Sequence, residues 1–445
     1  MQKFSKYFKE IGKIAAPIVA GNLGHVLIGA TDVFVAAKHS VDTLSAVAIA
    51  NSVFFTVFII GLGILNGVSI VLSNYRGERK ETKKYFVISV ILSQILASVT
   101  VGILLLITYC IPYIGFEEKL VPLIQQYMYI TTFSVFGIYL YQSIKEFLQA
   151  HEIVLFPNLF LTVMVFVNLV LNFVLVFGYG NIPAYGITGL AVATLIVRTL
   201  LGIVLIIYTR KVIFDYKKQE ISFGQYIRQV IKNGFPVGAG LLLEFLGFNI
   251  ITVIVGLESG IFAGINNLIF TIIDITFMIP FAISSAIAIK VGYYNGAKNF
   301  DEIKNYGRSG LILSAMFVLF YSVIYLTIPE HIIGIFTHDK EIVRIALPIV
   351  TLLALFEIAD GIQISLSGIL KGLKLTKQAT LCSVASYWGI GIPLGFYLDY
   401  AFEMSLMGFW VGLTVALFIV AILEYIVIIR KYREITVNYE KKYIC

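Results

Sequence analysis

The chain has 445 residues, of which 59% are hydrophobic and 13% are charged, and its mean hydropathy is +0.91. Soluble domains carry about a quarter charged residues, so this composition excludes a water-soluble globule and predicts an integral membrane protein. The formal net charge of +7 does not indicate nucleic-acid binding, because the basic residues are concentrated in the connections on one face of the predicted membrane domain.

Twelve apolar stretches are long enough to cross a bilayer, which requires about 20 predominantly apolar residues in a helix. The runs are apolar on every side, whereas the strands of a membrane β-barrel alternate in polarity. The sequence therefore predicts an all-α membrane protein. The predicted spans lie near residues 11–37, 44–72, 86–111, 121–147, 155–178, 186–208, 229–255, 261–289, 309–329, 344–370, 379–398 and 405–429.

The two halves of the chain contain repeated landmarks, which indicates a duplication. Because each half has six spans, an even number, both halves enter the membrane in the same orientation, and the relating pseudo-two-fold axis runs along the membrane normal. We predict an N-terminal six-helix lobe at 1–208, a cytoplasmic linker at 209–228 and a C-terminal six-helix lobe at 229–445. The landmarks that share a separation of 219 residues are Pro17 with Pro236, Gly77 with Gly296, and Gly189 with Gly408.

The distribution of basic residues predicts the orientation in the membrane. Of the 33 Lys and Arg residues, 28 fall on the face that also carries both termini, and Arg198 lies within a span. By the positive-inside rule both termini are cytoplasmic. The three cysteines, Cys110, Cys382 and Cys445, are too few and too scattered to predict a disulfide framework.

Carboxylates deep in apolar helices are the main functional signal. Each costs at least about 2.5 kcal/mol at the bilayer centre and marks a functional site by default. Like charges in one bundle repel, so at least one acid should be protonated or neutralised by a cation. The C-terminal half is therefore predicted to hold a cation or proton site. Its mid-depth acids are Glu244, Asp274, Glu357 and Asp360, the last two on one helical face.

The N-terminal half has one clearly buried acid, Asp32, in its first span. Asn168 and Asn172 on span 5 and Thr194 on span 6 could complete a proton or hard-cation site around it. The two asparagines are equally consistent with hydrogen bonds between helices. Arg198, one turn beyond Thr194, is either a counter-charge for a carboxylate or a partner in a local bond.

Aromatic side chains could line a cavity for flat organic cations through cation–π contacts. With 26 Tyr and 34 Phe in the chain, chance supplies many such rings. His25, seven residues before Asp32, could relay protons or pack in the core. The predicted cavity residues are Tyr139, Tyr141, Gln142, Phe277, Tyr387 and Trp388.

The sequence contains no P-loop, no His-Glu-x-x-His and no Gly-x-Ser-x-Gly motif. An ATP-driven pump or a membrane hydrolase is therefore unsupported, and we expect no enzymatic activity. Transport would have to draw its energy from an ion gradient.

Nine short stretches spread along the chain form a recognisable set. They are Ala16-Pro17-Ile18, Thr31-Asp32, Tyr75-Arg76-Gly77, Phe147-Leu148-Gln149-Ala150, the segment 183–194, Gly234-Phe235-Pro236-Val237-Gly238, Phe277-Met278-Ile279-Pro280, Ile369-Leu370-Lys371-Gly372 and the segment 387–395. Taken together, these stretches resemble the multidrug and toxic compound extrusion (MATE) family over almost the whole chain.

The resemblance implies a twelve-helix antiporter that exports amphipathic, often cationic drugs in exchange for Na⁺ or H⁺. Glu244 and Asp360 resemble the carboxylate pair of the NorM-type branch, and Asp32 with its polar neighbours resembles the cluster in the first lobe of bacterial and archaeal members. Na⁺ is expected at Glu244, Asp360 or Asp32 if the coupling ion is a metal. Two positions depart from the family pattern. An apolar or small polar residue is expected where this chain has Asp274, and an arginine is expected where it has Lys371.

Two other functions are weighed against this one. A lipid-linked oligosaccharide flippase of the same superfamily should have a cavity rich in Arg and Lys for pyrophosphate, whereas the mid-membrane residues counted here are five acids and one cation. An integral-membrane enzyme or receptor leaves the duplication unexplained. We therefore expect a monomeric exporter of small organic cations, surrounded by lipid, with no cofactor and no nucleic-acid partner. The family resemblance implies that it lies in a prokaryotic inner membrane.

Overall fold

The computed structural model describes residues 2–213 and 223–444. The central part of the predicted linker, residues 214–222, lies outside the described residues. Within the described ranges the secondary structure is helical, apart from the turns that connect the helices and an isolated bridge between Tyr179 and Ile182. The helices are α1 (Gln2–His39), α2 (Val41–Gly77), α3 (Tyr85–Cys110), α4 (Val121–Ala150), α5 (Leu155–Phe177), α6 (Gly186–Ile213), α7 (Phe223–Glu258), α8 (Gly260–Gly296), α9 (Phe300–Thr327), α10 (Pro329–Gly334), α11 (Lys340–Gly372), α12 (Thr376–Ser386), α13 (Ile392–Phe402) and α14 (Ser405–Ile444), with a 3₁₀ turn at Ile111–Tyr113 and a π-helix at Tyr387–Gly391.

Eleven helical segments in the described residues are long and apolar enough to cross a membrane, and α12, the π-helix and α13 together make one of them. The predicted all-α membrane class is confirmed. The predicted fourth span, 121–147, corresponds to the 30-residue α4, which is not among the eleven. α4 tolerates more polar residues than the other spans because it packs against α2, α3 and α6, and most of its second half is buried in protein rather than exposed to lipid.

The chain forms two compact units, Pro17–Gly238 and Met1–Ala16 with Ala239–Cys445. Compared with the predicted lobes, two helix starts are exchanged: the start of α1 belongs with the second half of the chain, and the start of α7 belongs with the first. Both unit boundaries fall at or near a proline inside a helix, Pro17 in α1 and Pro236 in α7. A proline removes a backbone hydrogen bond and permits a bend there.

The unit Pro17–Gly238 is organised around α4, which packs against α2, α3 and α6. The later part of α1 lies against α5, where Thr162 donates a 3.0 Å hydrogen bond to the backbone oxygen of Ala20. The start of α7 is held to this unit by Tyr226, whose hydroxyl lies 2.7 Å from Oγ of Ser89.

The second unit is organised around α11, which packs against α8, α9 and α14. Its core contains the buried rings of Phe409 and Trp410 on α14. The start of α1 joins this unit through Glu10, whose Oε2 accepts hydrogen bonds from Lys290 (3.0 Å) and from the Tyr306 hydroxyl (2.5 Å).

The duplication is visible in the backbone. α2 and α8 both end at the repeated glycine, and two residues later Arg79 and Lys298, again 219 positions apart, take positive φ values of 58° and 56°. In the first unit the repeated motif caps a neighbouring helix, because Arg76 donates to the backbone oxygen of Ala150 (3.1 Å) and to Glu152 (3.0 Å).

The π-helix interrupts the penultimate span. The N–H of Ile392 bonds to the oxygen of Tyr387, five residues back, and the next residue, Pro393, has no N–H to continue the normal α-helical ladder. Such wide turns recur at functional positions in helices, and this one carries the aromatic residues Tyr387 and Trp388.

Candidate functional site

In the unit Pro17–Gly238, the structure brings together all four side chains of the predicted N-terminal cluster. Asn172 donates to Oδ1 of Asp32 at 2.7 Å, and Thr194 donates to Oδ2 at 2.9 Å. Asn172 also contacts Oδ1 of Asn168 at 3.2 Å. All four side chains are buried, and Asp32 is only 2% exposed. Three helices, α1, α5 and α6, thus hold one carboxylate in a polar site.

Two amide atoms in this cluster have no hydrogen-bond partner, Nδ2 of Asn168 and Oδ1 of Asn172. Thr31, next to Asp32, donates to Oδ1 of Asn168 at 2.6 Å, which fixes the orientation of that amide. A buried polar atom without a partner costs about 1–3 kcal/mol. The cluster therefore has capacity for a further polar group or a proton.

Arg198 makes a local bond, as one of the two sequence interpretations predicted. It donates to Oγ of Ser134 at 2.9 Å, and its guanidinium carbon lies 4.9 Å from the centre of the Phe54 ring. Asp32 is also within electrostatic range of Arg198. Arg198 therefore has a local structural role, and its charge also acts on the Asp32 carboxylate from a distance.

In the second unit, the structure brings three of the four predicted acids together. Asp360 lies within electrostatic range of Glu357 and Glu244, and Glu357 is fully buried. Thr276 on α8 contacts Oε1 of Glu357 at 2.5 Å and the Tyr325 hydroxyl at 3.1 Å. The Oε2 atom of Glu357 has no partner, so this carboxyl also has capacity for a proton or a cation.

The fourth predicted acid, Asp274, lies on an exposed part of α8. The described residues include no group of three or more His, Cys, Asp or Glu side chains arranged to hold a metal ion. A Na⁺ site would have to draw on hydroxyl, amide and backbone oxygens in addition to the carboxylates.

A further buried acid, Glu424 on α14, was missed by the sequence analysis. It is fully buried and accepts a 3.3 Å hydrogen bond from Gln363 on α11. Tyr387 lies within electrostatic range of Glu424, Glu244 and Asp360, which links this residue to the predicted cluster. Glu424 falls near the end of the last predicted span, where a carboxylate is normally assigned to the membrane surface.

Most of the predicted cavity residues are engaged in packing. The Tyr139 hydroxyl donates to the backbone oxygen of Phe58 at 2.8 Å, and Tyr141 donates to that of Pro157 at 3.0 Å. Gln142 donates to Asn66 and to Glu146. Whether any of these side chains contacts cargo stays a prediction.

The remaining predicted rings have aromatic or backbone neighbours. Phe277 packs on Phe281 with 5.4 Å between ring centres, and Trp388 donates to the backbone oxygen of Leu243 at 3.2 Å. Tyr387 is buried, with its ring 6.4 Å from that of Phe248. His25 is half-buried and packs edge-on against Tyr141 at 5.9 Å, which is consistent with the packing role that the sequence offered as one alternative.

Solved structures share this fold. A Vibrio cholerae MATE transporter, VcmN, matches with a TM-score of 0.88 at 17% identity, over 98% of this chain and 99% of that one. The eukaryotic MATE transporter AtDTX14 matches with a TM-score of 0.85 at 20% identity, over 97% and 99% of the two chains. The prediction of twelve spanning helices in two bundles is therefore confirmed.

Sequence comparisons agree with the structural ones. A probable multidrug resistance protein NorM from Photorhabdus laumondii is 27% identical over 96% of this chain and 97% of its own length. A relative with the same name from Bacillus cereus is 26% identical over 93% of both chains. The MatE family model matches residues 17–174 and 236–397. These two matched segments cover most of both halves, and the chain belongs to the MatE family.

Proposed function

We propose that the protein is a secondary antiporter that exports amphipathic, mostly cationic organic compounds in exchange for Na⁺ or H⁺. The observation that carries this proposal is the burial of acids in both units: Asp32 in one, and Glu357 and Asp360 in the other. Each lies in a helix apolar enough to cross a membrane. A carboxylate in that position is costly, and it is retained where it serves transport.

The same acids give a physical basis for coupling. Neutralising one carboxylate in the bilayer interior removes a cost of at least about 2.5 kcal/mol. Shifting a two-state equilibrium from 1:99 to 99:1 needs about 5.5 kcal/mol of differential binding. Two such sites, one in each unit, together remove at least about 5 kcal/mol. Binding of H⁺ or Na⁺ can therefore supply most of the required shift between inward- and outward-facing states, provided that one state exposes these carboxylates to water more than the other.

The charge balance favours a cationic cargo. Four acids of the two clusters are buried: Asp32, Glu357, Asp360 and Glu424. Of the buried cations in the described residues, Lys290 pairs with Glu10 and Lys145 is offset by its neighbour Glu146. The relatives named above are called multidrug resistance proteins. An anionic lipid pyrophosphate would instead need clustered Arg and Lys. We therefore rank the lipid-linked oligosaccharide flippase below the drug exporter, and an enzymatic role below both.

The proposed setting follows from the same features. The basic connections on one face support cytoplasmic termini, and the bacterial origin of the relatives named above supports a prokaryotic inner membrane. Each unit has its own hydrophobic core. Leu65 belongs to the core of the unit Pro17–Gly238, and Trp410 belongs to the core of the second unit. We therefore propose a monomer that requires no resident cofactor and binds small organic molecules and lipid.

Efflux from cells tests the proposal. We expect cells that express Glu244→Gln or Asp360→Asn to lose resistance to cationic dyes, whereas cells with the wild-type chain keep it. Glu434→Gln, an exposed acid on α14, is the control and should behave as wild type. Unchanged efflux in both cluster variants would remove the proposed role of these carboxylates.

A further inference from the structure

A row of polar side chains follows one face of α11. Successive members are three or four residues apart, so at about 100° per residue they fall within a sector of about 120°. The four members nearest the middle of the helix are buried, in an otherwise apolar span. The row runs toward the end of α11 that we predict to be cytoplasmic. Its members are Glu357, Asp360, Gln363, Ser367 and Lys371.

Glu424 lies beside this row. α14 packs against α11, and Gln363 donates to Oε1 of Glu424 at 3.3 Å. The other carboxyl oxygen, Oε2, is fully buried and has no hydrogen-bond partner. The titratable or charged groups within electrostatic range of Glu424 are Lys371 on α11, Cys382 on α12 and Tyr387 in the π-helix.

The unpartnered oxygen indicates what this carboxyl binds. A buried charged group without its hydrogen bonds is costly, and a hard metal cation would need several oxygen ligands around it. The described residues provide no group of three acidic, His or Cys side chains for a metal, and the side-chain group that contacts this carboxyl is the Gln363 N–H, a donor that cannot ligate a cation. A proton needs only the one oxygen that is available.

We propose that Glu424 is a proton-binding carboxyl of the coupling pathway, placed between the Asp360 cluster and the cytoplasmic end of α11. In each cycle a proton passes from a hydronium ion that enters from the Asp360 side to Oε2, and later from Oε2 to water at the Lys371 end. At each transfer one O–H bond of the donor breaks and one O–H bond of the acceptor forms, and the carboxyl alternates between neutral and negative. Gln363 positions the carboxyl through its amide. The inference rests on the proposed antiport for its role in transport.

A purely structural role must be separated from this one, because the Gln363–Glu424 bond also joins α11 to α14. We propose pH-difference infrared spectroscopy of the full-length protein in lipid, between mildly acidic and mildly alkaline conditions. The wild-type spectrum should contain the carbonyl band of a protonated carboxyl that disappears on alkalinisation, and Glu424→Gln should lack that component. Glu434→Gln, exposed on the same helix, should retain it.

Two further measurements complete the test. Gln363→Met leaves the carboxyl but removes its donor, so the band should persist with a displaced pH midpoint. Export driven by a pH gradient should slow roughly a hundredfold in Glu424→Gln, the scale on which loss of one proton-transferring group acts. Gln363→Met also provides the readout if Glu424→Gln does not fold.

Three results would overturn the proposal: identical infrared spectra for wild type and Glu424→Gln, an unchanged pH-driven rate in that variant, or wild-type export that responds to Na⁺ alone. The last result would leave the proposed antiport intact. Failure of the wild-type protein to export under either gradient would instead contradict the proposed function, and the infrared titration would still decide whether Glu424 binds a proton.

Discussion

Asn172 donates a 2.7 Å hydrogen bond to Asp32 across the interface between α5 and α1. This contact joins the first span to the fifth at the only acid that sequence analysis placed deep in the N-terminal half. Thr194 on α6 occupies the second carboxyl oxygen. A proton or cation that binds Asp32 therefore changes the hydrogen bonds of three helices at once.

Asp32→Asn should block export with little effect on folding. The substitution keeps the shape of the side chain but removes its charge and its ability to exchange a proton at neutral pH. We expect efflux of cationic dyes from cells to fall to the level of the empty-vector strain. The matched control is Asp42→Asn, a half-exposed acid at the start of α2 that pairs with Lys119. Wild-type efflux in Asp32→Asn would show that this carboxylate is not needed.

Thr276→Val should destabilise the second unit and reduce transport. The Thr276 hydroxyl is the partner of Oε1 of Glu357, whose Oε2 already has none. Loss of the donor leaves a buried carboxyl without a hydrogen bond there, which costs about 1–3 kcal/mol. Thermal unfolding in detergent measures the effect. Thr271→Val on the same helix, where the hydroxyl bonds only to its own backbone, should be close to neutral, and equal shifts in the two variants would contradict the argument.

Gly234→Ala should disrupt the packing of α7 on α2. A Cβ at this position would overlap the backbone oxygen of Ile64, and a backbone atom cannot move aside without shifting its helix. Overpacking of this kind costs about 1–3 kcal/mol, so we expect a lower unfolding temperature and weaker expression. Gly224→Ala, also in α7, has open space around it and serves as the control. Wild-type stability in Gly234→Ala would show that the two helices can separate freely.

Lys290→Met should loosen the start of α1. The Lys290 ammonium is largely buried and pairs with Glu10 at 3.0 Å, and hydrogen bonds to charged groups contribute about 1.5–3 kcal/mol. Amide hydrogen exchange in residues 2–16 should accelerate by at least about tenfold, which corresponds to about 1.4 kcal/mol. Lys431→Met removes an exposed pair within α14 and should leave that segment unchanged. Equal exchange in wild type and Lys290→Met would show that the pair does not hold the helix.

The helices could be predicted because lipid imposes a simple requirement. Every backbone polar group in a bilayer must be satisfied within the segment, so each span appears as a long apolar run. α4 shows where this rule weakens: protein surrounds the helix, and its second half carries buried Gln142, Lys145 and Glu146. The helix was predicted as one of the twelve apolar stretches, but it is not among the eleven segments of the described residues that are long and apolar enough to cross a membrane.

The cluster around Asp32 could also be predicted, because the spacing of Asn168 and Asn172 places both amides on one face of their helix. The structure brings these side chains together, and their part in ion coupling stays a prediction. For Asp274 and Glu424, the position of the residue along its predicted span did not predict whether the side chain is buried. The rotation of a helix about its axis decides whether a side chain is buried, and tertiary packing sets that rotation: Asp274 is exposed and Glu424 is buried.

The exchange of the two helix starts had no local signal. Pro17 and Pro236 mark where α1 and α7 can bend, but nothing near either proline identifies which bundle the preceding segment joins. The partners are distant in sequence: Glu10 meets Lys290, and Tyr226 meets Ser89. Contacts of this separation depend on the packed fold, so the unit boundaries could not be predicted from spacing alone.

The most direct test of ion-coupled export is uptake of a fluorescent organic cation into inverted membrane vesicles, under a pH gradient and then under a Na⁺ gradient. We predict that the wild-type chain accumulates the dye under at least one gradient, that collapsing this gradient releases it, and that Asp32→Asn and Asp360→Asn accumulate none. Accumulation that is insensitive to both gradients, or that persists in both variants, would contradict the account.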